Sequence, residues 1–194
     1  MKKLVLATTL FIAGVCNAQK LELGVKLGYV NSTLRFTESD IKESFNSKSN
    51  VYVAGSVEYA INPYISVQGE VAMAGLGGEN LTINKQKSRL HLTTVFVPIG
   101  IKIYPIKNRL SAMGGVNLAF TTKALSEQNG KKVEFKNLNT SNHSFFVGGE
   151  YKITKSLLAE VRYNVGLSNI VKVHNQTMKN NFFQIGVGYI FGRL

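Results

Sequence analysis

Residues 20–29 read KLELGVKLGY, and this stretch decides the fold class. Every odd position carries an apolar side chain, whereas every even position carries a charged residue or a glycine. Because successive side chains of a β-strand point to opposite faces, an alternation of period two predicts an amphipathic strand. Its length is close to that of a tilted strand that crosses a bilayer, which has about 9 to 11 residues.

The same alternation returns in seven further segments of similar length. They are residues 51–61, 65–73, 95–103, 110–120, 145–153, 157–167 and 183–191. One face of all eight segments is apolar, apart from four glycines, and the opposite face is polar. A soluble barrel would show the same period with its apolar face inward, so alternation alone leaves open which face lies inside.

The connections between these segments favour the membrane alternative. Long connections (31–50, 74–94, 121–144 and 168–182) alternate with short ones (62–64, 104–109 and 154–156). Barrels of the outer membrane combine long outer loops with short periplasmic turns. The sequence therefore predicts an all-β fold, an eight-stranded antiparallel up-and-down transmembrane β-barrel with both termini in the periplasm.

Aromatic residues on the apolar face point the same way, because they cluster at both ends of the strands as membrane-interface girdles do. The cluster beside the long connections comprises Tyr29, Phe120, Phe145 and Phe183. The cluster beside the short connections comprises Tyr59, Tyr151, Tyr189 and Phe191.

The first eighteen residues are typical of a secretory signal peptide. Two lysines precede an apolar run over residues 4–15, and Cys16-Asn17-Ala18 provides a cleavage site that ends in alanine. We expect a signal peptide over residues 1–18 and a barrel domain over residues 19–194. A lipid anchor on Cys16 is the alternative, although the residue before it, Val15, is not small. Cleavage after Ala18 would remove the only cysteine and, with it, any thiol-based metal or redox site.

The chain carries 23 Lys and Arg against 11 Asp and Glu, a formal net charge of +12. Such a charge by itself suits nucleic acid, an anionic membrane or lipopolysaccharide. Topology removes nucleic acid from this set and leaves outer-membrane lipid and lipopolysaccharide as the expected partners of a monomer. Much of the excess falls in the predicted long loops, at Lys85, Lys87, Arg89, Lys123, Lys131, Lys132 and Lys136.

Three motifs resemble those of a known family: residues 97–104 (VPIGIKIY), 161–170 (VRYNVGLSNI) and 184–191 (QIGVGYIF). They are similar to strands of the small eight-stranded outer-membrane β-barrels of Bacteroidota, the porin-family or PorT-like proteins. The resemblance implies location in the outer membrane of a Gram-negative bacterium. It also implies that the last strand carries the signal read by the outer-membrane assembly machinery, at Gln184, Gly186, Tyr189 and Phe191.

The polar face offers a candidate site inside the barrel. Its charged residues are Glu22, Lys26, Glu58, Glu70, Lys102, Glu150, Lys152, Glu160 and Arg162. Eight strands enclose a lumen just wide enough to be filled by side chains, so these charges are expected to pair in a network that plugs it. A gated ion path is the alternative.

We expect no catalytic residue, no metal site, no cofactor and no enzymatic activity. The three histidines, His91, His143 and His174, fall in three different connections without an orienting acid at an evident spacing. The favoured function is a structural or surface-interaction role through basic outer loops. A narrow porin-like channel and an accessory component of a secretion system are the alternatives. A soluble lipocalin-like barrel is disfavoured by the absence of Trp.

Overall fold

A computed structural model describes residues 21–36, 46–83, 86–107, 109–128, 131–134, 141–169 and 178–193. The predicted signal peptide lies outside these residues and stays a prediction. The strands are β1 (Leu21–Phe36), β2 (Asn46–Asn62), β3 (Ile65–Ile83), β4 (Gln86–Ile106), β5 (Leu110–Gln128), β6 (Lys131–Glu134), β7 (Ser144–Lys152), β8 (Leu157–Gly166) and β9 (Met178–Arg193).

Eight of these strands form a closed ring in which every pair of neighbours is antiparallel. The order is β1, β2, β3, β4, β5, β7, β8, β9, and β9 pairs back with β1 over residues 178–193. The short β6 lies outside the ring and extends the edge of β5. The predicted eight-stranded antiparallel barrel is therefore confirmed. Within the described residues, no helix is long and apolar enough to cross a membrane.

Exposure of the side chains settles which face lies inside. Lys26 is 3% exposed, whereas its neighbour Leu27 is 58% exposed, and this contrast repeats along every long strand. Because the charged face is buried and the apolar face is open, the outer wall suits hydrocarbon and not water. All eight predicted girdle residues lie on this wall and are at least 38% exposed.

The strands extend well beyond the predicted segments at the end with the long connections. β1 continues from Tyr29 to Phe36, and β3 and β4 form one hairpin that crosses most of residues 74–94. The prediction of long loops over these residues is therefore wrong. The period of two persists there, but its polarity is reversed: Leu76 and Leu92 are buried, whereas Thr93 is exposed. The outward apolar pattern that defined the segments ends where the strands leave the hydrocarbon.

Glycines inside the wall allow close approach of strands and side chains. A Cβ atom on Gly115 would collide with the carbonyl oxygen of Ile99 and would lie 2.6 Å from the Cα of Gly100. By contrast, no atom lies within 4 Å of a Cβ placed on Gly55, which faces outward. The inward glycines therefore make room for neighbouring strands and for the large side chains of the lumen.

Candidate functional site: a crossed and charged lumen

The nine charged residues predicted for the lumen lie on six strands, and all of them project inward. Eight are buried, and Glu22, near the short-turn end, is partly exposed. The shared phase of the alternation explains this convergence, since it places each of them on the concave face of its strand.

Lys26 on β1 lies at the centre of the network. Its Nζ donates hydrogen bonds to Oε1 of Glu70, Oε2 of Glu150 and Oε2 of Glu160, each at 2.7 Å. An ammonium group has three protons, so these three carboxylates satisfy it completely. One side chain thereby connects β1 with β3, β7 and β8.

Arg162 on β8 spans the barrel to Glu70 on β3. One terminal guanidinium nitrogen donates to Oε2 of Glu70 at 2.7 Å, and the other donates to Oε1 of Glu70 and to Oε2 of Glu160. The two strands are opposite each other in the ring of eight. This bidentate pair therefore crosses the axis of the lumen.

Lys102 on β4 extends the network to the side. Its Nζ donates to Oε2 of Glu58 at 2.7 Å and to Oε1 of Glu150. Seven residues are linked in this way, three bases and four carboxylates, so the connected network has a formal charge of −1. A separate pair lies nearer the short turns, where Nζ of Lys152 is 2.6 Å from Oε2 of Glu22.

Two tyrosines that sequence reasoning missed complete the network. The hydroxyl of Tyr52 donates to Glu160, and the hydroxyl of Tyr104 donates to Glu58. Both occupy inward positions in the same phase as a charged lumen residue, Tyr52 with Glu58 on β2 and Tyr104 with Lys102 on β4. That phase is the signal in the sequence that could have found both tyrosines, but the predicted lumen set took in only charged side chains.

A layer of amide side chains lies next to the charges, toward the long connections. Nδ2 of Asn164 donates to Oε1 of Gln184 at 2.9 Å, and Nδ2 of Asn117 donates to Asn164 and to Ser144. Gln184 was predicted as part of the assembly signal, and in the folded barrel it is buried in this layer. Gly186 lies on the same strand, where a Cβ would collide with the hydroxyl of Tyr52.

Beyond the amides, the lumen is closed by an apolar layer that the sequence reading did not predict. The rings of Phe96 and Phe182 lie 6.0 Å apart, although β4 and β9 are opposite each other in the ring. They belong to a buried cluster that also contains Val30, Leu34, Tyr52, Ala54, Ala72, Ala74, Leu76, Leu92, Ala119 and Ala124. The lumen is therefore crossed at a second level by an apolar contact.

A small cavity of about 10 Å³ lies between the charged layer and Phe146. Oε1 of Gln68 and Nε of Arg162, both on residues that line the cavity, have no hydrogen-bond partner within the described part of the chain. An acceptor and a donor beside a space of this size suit one buried water molecule. The cavity is too small for a hydrated ion.

The basic residues predicted for the outer loops are placed differently from that prediction. Five of them lie on strands: Lys87 and Arg89 on β4, Lys123 on β5, and Lys131 and Lys132 on β6. Lys85 and Lys136 lie outside the described residues. By register, Arg89 and Lys132 flank Glu127 in one row of the sheet, and Lys87 and Lys123 share that face. We call this the basic sheet face: Lys87, Arg89, Lys123 and Lys132.

The two histidines in the described part of the chain contact different partners. His91 lies within β4 and not in a connection as predicted, with its Nε2 3.4 Å from Oε2 of Glu127. His143 packs edge-on against Phe120, and His174 is outside the described residues. Across the described ranges, no three His, Cys, Asp or Glu side chains are grouped as a metal site.

Comparisons with known proteins give a family and a set of structures with the same fold. The family model of the outer membrane protein beta-barrel domain matches residues 4–191. The structure is similar to the attachment invasion locus protein Ail of Yersinia pestis, with a TM-score of 0.57 and 15% identity over 89% of this chain and 99% of Ail. A second Ail structure, with 16% identity over the same shares and a TM-score of 0.56, holds the heparin analogue sucrose octasulfate.

Neisserial surface protein A is also similar, with a TM-score of 0.54 and 14% identity over 86% of this chain and 96% of that protein. At this level of identity the structural likeness shows the fold. A comparison with curated protein sequences gave no match.

Proposed function

We propose that the chain, which belongs to the outer membrane protein β-barrel domain family, acts at its rims and not through its lumen. The chain is a small outer-membrane β-barrel protein. The observation that carries the proposal is the crossing of the lumen at two levels, by Arg162 with Glu70 and by Phe96 with Phe182. A structural or surface-interaction role follows, because filled lumens leave the exposed rims as the places for contact.

In the orientation that we propose, the end with the long connections faces outward and both termini face the periplasm. The uneven wall supports this orientation: β3, β4 and β5 have 19, 21 and 19 residues, whereas β7 and β8 have 9 and 10. The long strands extend beyond the girdle residue Phe120 and carry the basic sheet face away from the bilayer. Long outer extensions and short inner turns are the usual arrangement of outer-membrane barrels.

The partner that we propose for the basic sheet face is an anionic saccharide, with lipopolysaccharide as the first candidate. The support is chemical, since Lys and Arg form charge-assisted hydrogen bonds to phosphate and carboxylate groups. By backbone register the four residues occupy positions of one alternation, which Glu127 and Glu134 share and whose charge they reduce. Sulfated saccharides are a second candidate of the same chemistry.

Binding of the refolded protein to immobilised lipopolysaccharide tests this proposal. Arg89→Gln, Lys123→Gln and Lys132→Gln combined should weaken binding by about fivefold for each charge removed, since a basic residue near an anionic surface contributes about 1 kcal/mol. The matched control keeps the three charges with Arg89→Lys, Lys123→Arg and Lys132→Arg combined, and it should bind like the unaltered protein. Equal binding by both triple variants and the unaltered protein would refute the proposal.

A further inference from the structure

We propose that the rim with the short turns binds the phosphate groups of anionic phospholipids through three residues, Lys107, Arg109 and Lys155. All three are exposed, and we call them the basic arc. This surface is distinct from the basic sheet face, which lies at the other end of the barrel. The inference goes beyond the proposed function, because it concerns the membrane leaflet and not an outer partner.

The basic arc is continuous because the two turns that carry it, β4–β5 and β7–β8, are neighbours, and the β2–β3 turn lies beside them. The backbone nitrogen of Tyr104 donates to the carbonyl oxygen of Tyr64 at 2.8 Å, which joins the β2–β3 turn to the end of β4. The backbone nitrogen of Lys152 donates to the carbonyl oxygen of Arg109 at 2.8 Å, which joins the β4–β5 turn to the end of β7. The arc thus follows one side of the rim from β4 to β8.

Two of these turns, β2–β3 and β7–β8, are also fixed in shape by a side-chain cap. Oδ1 of Asn62 accepts hydrogen bonds from the backbone nitrogens of Tyr64 and Ile65, at 2.8 and 2.9 Å. Oγ1 of Thr154 accepts in the same way from Ser156 and Leu157, at 3.2 and 2.9 Å. A fixed backbone reduces the entropy that is lost when a cation binds a phosphate.

No acid competes with the lipid for these cations within the turns. The sequences of the three connections with their flanking residues are INPYI (61–65), PIKNR (105–109) and ITKSL (153–157), and none contains Asp or Glu. The Nζ of Lys107 lies 4.7 Å from the ring centroid of Tyr64. A cation over an exposed ring keeps its remaining protons available to an anion.

The depth of the arc matches that of lipid phosphates. Tyr59 and Tyr151 are about half exposed on the outer wall and lie two to four residues before the turns, as expected of a girdle at the membrane interface. Ile61, Ile106 and Ile153 are also about half exposed, directly beside the turns. Apolar residues at this level reach the hydrocarbon, so the adjacent cations stand at the headgroups. An anionic headgroup such as phosphatidylglycerol should therefore be preferred over zwitterionic phosphatidylcholine.

Fluorescence quenching by brominated lipids tests the inference at each rim separately, because the chain contains no Trp. Tyr64→Trp places a single reporter beside the basic arc, and Phe120→Trp places one at the opposite girdle. Each full-length reporter protein is refolded into phosphatidylcholine vesicles that contain brominated phosphatidylglycerol or brominated phosphatidylcholine. The measurement is the relative association constant of the two lipids around each reporter.

We expect a several-fold preference for phosphatidylglycerol at position 64 that diminishes in high salt. Lys107→Gln, Arg109→Gln and Lys155→Gln combined should reduce this preference to near equality, because each charge contributes at most about fivefold to the relative association constant. The same triple substitution should leave the quenching at position 120 unchanged, which also shows that the barrel still folds. An unchanged preference at position 64 in the triple variant, or none in the parent protein, would overturn the inference.

Discussion

At the scale of single residues, the lumen network has fewer bases than acids. Three bases serve four carboxylates in the connected group, and each base is shared between two or three of them. Loss of a base should therefore be more harmful than loss of an acid. Removal of one partner of a buried ion pair leaves the other charge without compensation, which typically costs about 3 to 5 kcal/mol.

Arg162→Met should lower the free energy of unfolding in urea by about 3 to 5 kcal/mol, because it leaves Glu70 and Glu160 short of a cation. Glu70→Gln should lower the free energy of unfolding clearly less, since it relieves the excess of negative charge and keeps an oxygen that can accept a hydrogen bond from Lys26. Urea titration of both variants refolded into the same vesicles checks this order. A larger loss for Glu70→Gln than for Arg162→Met would contradict it.

The glycines provide a second contrast at this scale. Gly115→Ala should destabilise the barrel by about 1 to 3 kcal/mol, because the new methyl group would collide with the backbone of Ile99 and Gly100. Gly55→Ala is the matched control, and its free energy of unfolding should change by about 0.5 kcal/mol or less, because the added methyl group meets nothing within 4 Å. Similar urea midpoints for the two variants would show that strand approach at Gly115 is not tight.

At the scale of elements, the alternation predicted the eight strands of the ring but not where they end, and it did not predict the short β6. β7 and β8 agree with the predicted segments almost to the residue, since both begin and end with the membrane wall. β3 and β4 are far longer than predicted, because beyond the bilayer Leu76 and Leu92 turn an apolar face inward. The period of two is the same inside the bilayer and beyond it. Only the medium outside the wall differs, so the period does not show where a strand ends.

The last strand, β9, carries the predicted assembly signal. Tyr189 and Phe191 stack edge to face on the outer wall with ring centroids 5.6 Å apart, and both are exposed. Tyr189→Ala should lower the fraction of protein that reaches the heat-modifiable, folded form in the outer membrane, if the assembly machinery reads this strand. The matched control is Tyr151→Ala, which removes a girdle tyrosine of similar exposure from β7.

Gel mobility of unheated membrane fractions measures that folded fraction. A defect in Tyr189→Ala and near-normal assembly of Tyr151→Ala would support a signal on β9. An equal defect in both variants would instead indicate a general requirement for aromatic residues in the girdle.

At the scale of the whole molecule, the sequence predicted a polar lumen but not how it is closed. The nine charged positions followed from the phase of the strands. Their pairing depends on which strands face each other across the lumen, and the period alone does not give that arrangement. The contact between Phe96 and Phe182 depends in the same way on the order of the strands around the barrel. The formal charge of +12 includes Lys2 and Lys3 of the predicted signal peptide; of the rest, the lumen is nearly balanced and both rims carry basic residues.

Electrical conductance in planar bilayers tests most directly whether the lumen is closed. The unaltered protein should give no discrete current steps, because Arg162 with Glu70 and Phe96 with Phe182 cross the axis at two levels. A variant that combines Glu70→Ala, Arg162→Ala, Phe96→Ala and Phe182→Ala should open a measurable current, provided that its heat-modifiable mobility shows it to be folded. Regular current steps from the unaltered protein that change with Glu70→Ala or Arg162→Ala would contradict the closed lumen and support a channel.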